Sequence, residues 1–259
     1  MPLNRREFVT LAAVGITSGL LASNPVKAAA APRIKAIVFD AFTTFDPQPV
    51  FALAEKLFPG KGSELGKIWR VRQFEYAWLR TLSRSYADFW QVTEESLVFA
   101  ARMLELELSE EKRRQLMQAY LEIKAWPDAA SALTTLKTMG IRMAFLSNLT
   151  ETMLDAAIRN SSLEGIFEKR LSTDRVKAYK PDPRAYQMGI DAFGLSRGEI
   201  AFAAFGGWDA AGAKSFGYPT FWVNRLGLPS EELGIVPDGI GSDLKDLVRF
   251  VKTPGVRRS

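Results

Sequence analysis

The chain has 259 residues, enough for one sizeable α/β domain with a smaller inserted one, and its 47% hydrophobic and 24% charged content is that of an ordinary globular protein. With neither cysteine nor histidine, disulfides, thiolate catalysis, Ser-His-Asp triads and histidine-held zinc are excluded, and chemistry falls to Asp, Glu, Lys, Arg, Tyr, Ser or Thr. The net charge of +5 gathers at the ends, with Arg5, Arg6 and Lys27 against Glu7 giving +2 in residues 1–30, and no basic stripe with interleaved aromatics suggests nucleic-acid binding.

The N-terminus reads as an address. Asn4-Arg5-Arg6-Glu7-Phe8 is followed by an apolar stretch from Leu11 to Leu21 and then by Ala28 to Ala31. A charged start, a short apolar middle and a small-residue cleavage site make a secretory signal, and the paired arginines before Phe8 point to twin-arginine export. The apolar stretch is too short for a stable membrane span. The expectation is cleavage near Ala30, engagement of the twin-arginine translocase during export, and a periplasmic protein that then keeps no membrane segment. The lack of cysteine suits an oxidising compartment.

The first structured element is a buried strand, Ile34 to Phe39, that ends at Asp40 and gives way to a Thr43-Thr44 loop. Parallel-sheet proteins present their reactive groups where strands end, so Asp40 is a candidate nucleophile. Residues 47–123 read as entirely helical, with Leu65, Ile68, Trp69, Tyr76 and Leu79 on one helix face and Arg80 at its edge, where a snorkelling arginine is the alternative to a functional one. Thr93-Glu94-Glu95 and Ser109-Glu110-Glu111 read as helix starts. An α/β pattern resumes after Pro127: Asp128 caps a helix that Gly140 ends, and a strand from Ile141 to Leu146 leads into Ser147-Asn148. That turn either caps the next helix or offers free backbone N–H groups to an anion. Asp182, Pro183 and Gly194 bound a helix, which places Lys180 in the loop before it, as a solvated lysine or a functional one. A strand over residues 200–205 precedes Trp208 and Asp209, the latter a helix cap or a site carboxylate. A further strand at 219–223 and a helix at 242–251 complete the pattern. The expected fold is α/β, a Rossmann-like parallel sheet core (33–46 and 124–251) with an inserted all-helical cap (47–123) and a basic tail (252–259).

If these strands share one sheet, their ends deliver Asp40, Ser147, Asn148, Lys180 and Asp209 to one edge. This order resembles the haloacid dehalogenase superfamily, specifically its type II (S)-2-haloacid dehalogenases. The resemblance rests on Phe39-Asp40-Ala41-Phe42, Tyr76-Ala77-Trp78-Leu79-Arg80, Ser147-Asn148, Lys180-Pro181-Asp182-Pro183 with Tyr186, and Trp208-Asp209-Ala210. It implies a cofactor-independent, metal-free hydrolase, homodimeric as its relatives often are, acting on a small 2-haloacid. Asp40 would displace halide with inversion and form an aspartyl ester. Arg80 and Asn148 would receive the halide, and Ser147 with nearby N–H groups the substrate carboxylate. Phe42 and Trp208 would supply apolar wall, Lys180 would keep Asp40 ionised, Tyr186 would order the Lys180 loop, Asp209 would handle the hydrolytic water, and Thr44 matches the family's loop threonine.

Three rivals are weaker. A magnesium phosphatase of the same superfamily needs carboxylates where this chain has Phe42 and Phe205, which removes leaving-group protonation and the usual metal site. A P-loop at Gly207 to Ser215 is spoiled by Lys214, one residue late, and by Trp208 crowding the turn. A binding protein on a retired dehalogenase fold is favoured by Ala204 and Gly206, which stand where a serine and an asparagine usually assist ester hydrolysis, and by Leu149 and Thr43 in place of glycines.

Overall fold

The computed structural model describes residues 34–253. The expected signal segment and the end of the basic tail lie outside them. The chain opens with β1 (Ala36–Phe39), a single helical turn α1 (Ala41–Thr44) and a short β2 (Phe45–Asp46). Four helices follow without a strand: α2 (Gln48–Leu57), α3 (Gly62–Leu82), α4 (Phe89–Met103) and α5 (Glu110–Leu121). β3 (Lys124–Ala125) then returns antiparallel to β2, closing the helical insertion at its base. The alternating pattern resumes with α6 (Ala129–Thr138), β4 (Arg142–Ser147), α7 (Glu151–Asn160), β5 (Lys169–Ser172) and α8 (Pro183–Phe193). It ends with β6 (Ile200–Ala204), α9 (Gly207–Phe216), β7 (Thr220–Val223), β8 (Gly239–Gly241) and α10 (Leu244–Lys252).

The main sheet has six strands in the order β5-β4-β1-β6-β7-β8, every neighbouring pair parallel. This is the expected Rossmann-like α/β core. Strand side chains divide by parity. Ile37, Phe39, Met143, Phe145, Ala201 and Ala203 face a core shared with α6, α7, α10 and the helical insertion. Ala36, Val38, Ala144, Leu146, Ile200 and Phe202 face a second core built on α8 and α9. Both faces are covered, which explains why the strands read as unbroken apolar runs.

The strand order also fixes where a site can form. From β1 the chain builds outward through β4 and β5, then crosses back to lay β6, β7 and β8 on the other side. The reversal falls at β1, where the connections diverge and leave a crevice at the carboxyl edge. In register, Phe39 pairs with Phe145 and with Ala203, so Asp40, Ser147-Asn148 and Phe205-Gly206 emerge side by side.

Several helix boundaries differ from the sequence reading. Asp88, not Thr93, starts α4, its carboxylate accepting from the Gln91 N–H, while Thr93 lies buried mid-helix with its hydroxyl on the Phe89 carbonyl. Asp128 makes no side-chain cap to α6; its carboxylate is taken by Arg225 and the Leu244 N–H, a long-range tie that outweighs local capping. Ser109 caps α5, and Asp182 with Pro183 and Gly194 bounds α8 as expected.

Candidate active site

Asp40 leaves β1 as the N-cap of α1. Its Oδ1 accepts the Phe42 N–H at 2.9 Å, which fixes the carboxylate plane and turns Oδ2 toward Lys180. Lys180 is fully buried, and its Nζ donates to Asp40 Oδ2 and to Asp209 Oδ2, each at 2.6 Å. Its backbone is held from both sides of the crevice. The Lys180 N–H donates to Asn148 Oδ1 at 3.1 Å, and its carbonyl accepts the Trp78 indole N–H at 3.1 Å. A lysine in a loop would ordinarily be solvated; here two carboxylates and two backbone anchors draw it inside.

Asp209 sits in the first turn of α9 but caps nothing, because Gly206 is the N-cap. Its carboxylate is shared between Lys180 and the Tyr186 hydroxyl, which donates to Oδ1 at 2.8 Å. Burial pushes Asp209 up to about 6, opposed by the Lys180 charge, reinforced by Asp40, and opposed again by the Lys180 and Tyr186 hydrogen bonds. Burial alone would lower Lys180, but the charges of Asp209 and Asp40 outweigh it and hold the ammonium above its ordinary value. The triad is therefore a cation bridging two carboxylates, one of them poised near neutrality.

A cleft opens above this triad, lined by Asp40, Phe42, Ser147, Asn148, Trp208 and Asp209 among the expected residues. Asn148 spends its Oδ1 on Lys180, and its Nδ2 is buried with no hydrogen-bond partner. Ser147 Oγ accepts the Leu149 N–H, while Thr150 caps α7 through its own side chain. Ser147 and Asn148 are thus not the cap of α7.

Three expected residues stand elsewhere. Arg80 turns away, its guanidinium bound to Glu95 at 2.6 Å and to the Ser85 carbonyl, and it is not among the residues lining the cleft. Tyr186 lies behind Asp209 rather than in the cleft, so its contact is with the carboxylate and not with a cleft occupant. Thr44 is fully buried with its hydroxyl unpartnered and likewise does not line the cleft.

Arg70 replaces Arg80 in the cleft. Its guanidinium lies 4.9 Å from the Phe42 ring centroid and 4.3 Å from that of Phe74, and Nη1 donates to Gln73 Oε1 at 3.0 Å. Among the described residues no carboxylate pairs with it. Burial lowers the Arg70 pKa, countered by Tyr120 and Asp40, and a guanidinium keeps its proton at neutral pH regardless. Phe74 and Phe89 also line the cleft and were not singled out by the sequence, whereas Leu149, Phe205 and Gly206, named there only as departures from related patterns, complete the lining. For Arg70 and Phe74 the signal lay in α3, whose buried residues are Gly62, Leu65, Gly66, Trp69, Gln73 and Ala77. That face flanks Arg70. Arg80 lies ten residues, about 15 Å, further along the helix axis than Arg70.

A carboxylate at a parallel-strand end, a buried lysine bridging it to a second carboxylate, and an unpaired guanidinium across an aromatic cleft define an α/β hydrolytic site built on carboxylate chemistry. The model of the haloacid dehalogenase-like hydrolases matches residues 11–217, and the chain belongs to that family. It is similar to haloacetate dehalogenase H-2 of Moraxella sp. (strain B), 42% identical over 208 residues that span 80% of this chain and 92% of the relative. It is also similar to the (S)-2-haloacid dehalogenase of Pseudomonas sp. (strain YL), 40% identical over 221 residues, 85% of this chain and 95% of that one. A crystal structure of an L-2-haloacid dehalogenase superposes with a TM-score of 0.83 at 41% identity, covering 85% of this chain and all of the other.

Proposed function

We propose that the protein hydrolyses (S)-2-haloacids to (R)-2-hydroxyacids through an ester on Asp40. One observation carries the reading: a buried carboxylate opens onto a cleft that also presents the Arg70 guanidinium and the unpartnered Asn148 Nδ2, donors suited to anions. In the first step an Asp40 oxygen attacks the substrate α-carbon, a carbon–oxygen bond forms, and the carbon–halogen bond breaks with its electron pair leaving on halide. Lys180 and the Phe42 N–H hold the attacking group aligned. Arg70 and Asn148 stabilise the departing halide, and Ser147 with adjacent N–H groups orients the substrate carboxylate. Halide needs no protonation to leave, so neither a general acid nor a metal enters this step.

In the second step Asp209 takes a proton from water as the water oxygen attacks the ester carbonyl carbon of Asp40. The bond from that carbon to the product oxygen breaks, the leaving oxygen takes the second water proton and departs as the 2-hydroxyacid, and the Asp40 carboxylate is restored. The proton on Asp209 passes to solvent. Asp209 suits this role because its raised pKa makes it a stronger base than an ordinary carboxylate while it is still ionised above about pH 6. Both of its oxygens already hold donors, and the neighbouring Ala204 and Gly206 add no polar side chain, so ester hydrolysis is the slower step in this reading. The 42% identity to a haloacetate dehalogenase supports haloacetate, beside 2-halopropionate, as a candidate substrate.

The reading extends to location and assembly: export by the twin-arginine route to the periplasm, free of the membrane after signal removal, supported by Arg5-Arg6 and the alanine run at residues 28–31, and a homodimer, which the family resemblance implies. Fractionation of cells with and without an active twin-arginine translocase, and sedimentation of the secreted form, test these points. The activity itself is tested by halide release from (S)-2-chloropropionate with intact-protein mass followed in parallel. Sustained release that vanishes in Asp40→Asn supports the reading; undiminished release in that variant, or a strict magnesium requirement, contradicts it.

A further inference from the structure

Among the described residues, Trp208 is the one side chain shared by the catalytic cleft and a larger, mainly apolar hollow on its far side, lined by Leu82, Pro183, Phe216, Leu233 and Ile235 among others. Its indole is clamped. On one side it lies against Gly206, where an added Cβ would sit 2.8 Å from its Nε1. On the other it meets Phe74 at 5.1 Å and Trp78 at 5.5 Å between ring centroids, and Phe74 and Trp78 stack at 6.0 Å. Trp78 lines only the hollow, and it is itself pinned by the hydrogen bond from its indole to the Lys180 carbonyl. The three rings form a partition across what would otherwise be a continuous apolar path leading away from Asp40.

We propose that Trp78 sets the upper limit on substrate chain length by bracing Trp208 in the partition. This rests on the dehalogenase reading above. The alkyl chain of a 2-haloacid attacked by Asp40 has its polar end committed to Arg70, Ser147 and Asn148, which leaves the aromatic side of the cleft for its tail. The partition stops a long tail there. Without the Trp78 ring, Trp208 is free to swing into the vacated space and the tail reaches the hollow, whose apolar walls receive it. Trp78 acts through Trp208 and is a positioning residue.

The test compares kcat/KM for (S)-2-bromohexanoate with that for (S)-2-bromopropionate in the unaltered protein, Trp78→Ala and Trp78→Phe. Taking the ratio cancels any loss common to both acids, including loss of the Lys180 contact. Each methylene entering an apolar site favours the longer acid severalfold, so Trp78→Ala raises the long-to-short ratio roughly tenfold or more. Trp78→Phe, which keeps a ring without the indole donor, restores a ratio close to that of the unaltered protein. If Trp78→Ala does not fold, Trp78→Leu carries the same expectation with a smaller rise. An unchanged ratio in the truncated variant, or an unaltered protein that already takes both acids equally, overturns the proposal. Halide release from neither acid by the unaltered protein contradicts the dehalogenase reading itself, and the proposal with it.

Discussion

Replacing Lys180 by methionine removes the charge that joins the two site carboxylates while keeping the length and apolar stem of the side chain. Nζ lies 2.6 Å from an oxygen of each aspartate, and the lysine has no exposed surface. Breaking a buried ion pair by removing one partner costs about 3–5 kcal/mol. With a urea dependence of about 3 kcal/mol per molar, the unfolding midpoint falls by roughly 1–2 M. The loss is pH-dependent. Without the cation, Asp40 and Asp209 face each other, and one of them binds a proton above the value of about 6 that Asp209 already shows. A carboxyl group whose folded-state pKa is raised costs stability most above that pKa, and the cost shrinks as pH falls through it toward the unfolded value. The deficit of Lys180→Met relative to the unaltered protein is therefore larger near pH 8 than near pH 5. Urea titrations of both proteins at the two pH values, followed by far-ultraviolet circular dichroism, measure it. Equal deficits at both pH values, or none at either, would refute the view of Lys180 as the charge that holds this site together.

The two arginines separate cleanly. Arg70→Met lowers kcat/KM by roughly a hundredfold or more through loss of anion stabilisation, whereas Arg80→Ala, which severs a half-exposed pair with Glu95, stays within about twofold; steady-state halide release on both variants checks this. The acid limb of the kcat profile follows Asp209: turnover falls below about pH 6 as the base is protonated, while the first-turnover halide burst persists and the ester accumulates. Tyr186→Phe removes a hydrogen bond that favours ionised Asp209, so that limb moves to higher pH. Chelation by EDTA leaves the rate unchanged, since halide departure needs no metal.

The sheet and the main carboxylates were legible because strand ends in a parallel sheet converge whatever lies between them, and the runs ending at Asp40, Ser147 and Ala204 are apolar enough to be strands on sight. Asp40, Lys180 and Asp209 could be named, but not their arrangement. That Lys180 bridges both aspartates depends on anchors at Asn148 and Trp78, which lie 32 and 102 positions away in the chain. The helical insertion was read less well. A face drawn through Tyr76 and Leu79 points to Arg80, yet Leu79 is 58% exposed, and the buried stripe runs through Trp69, Gln73 and Ala77. Gln73 belongs to that stripe because its amide is satisfied by the Thr93 hydroxyl, a partner no local pattern announces. A hydrophobic count therefore passes over Gln73 and overlooks Arg70 at the edge of the buried stripe. Asp128 misled for the same reason: an aspartate before a helix suggests a cap, and Arg225 from the far side of the chain claimed it instead.

The most direct test of covalent catalysis by Asp40 is a single turnover of (S)-2-chloropropionate by excess protein in water enriched in heavy oxygen, followed by mass analysis of the peptide holding Asp40 and of the product. An ester opened by attack at its carbonyl carbon leaves the heavy oxygen in the Asp40 carboxylate, while the first 2-hydroxyacid released carries an unlabelled oxygen taken from the aspartate. Label in the hydroxyacid with none in Asp40 would mean that water attacks the α-carbon directly, and the nucleophilic role of Asp40 would be contradicted.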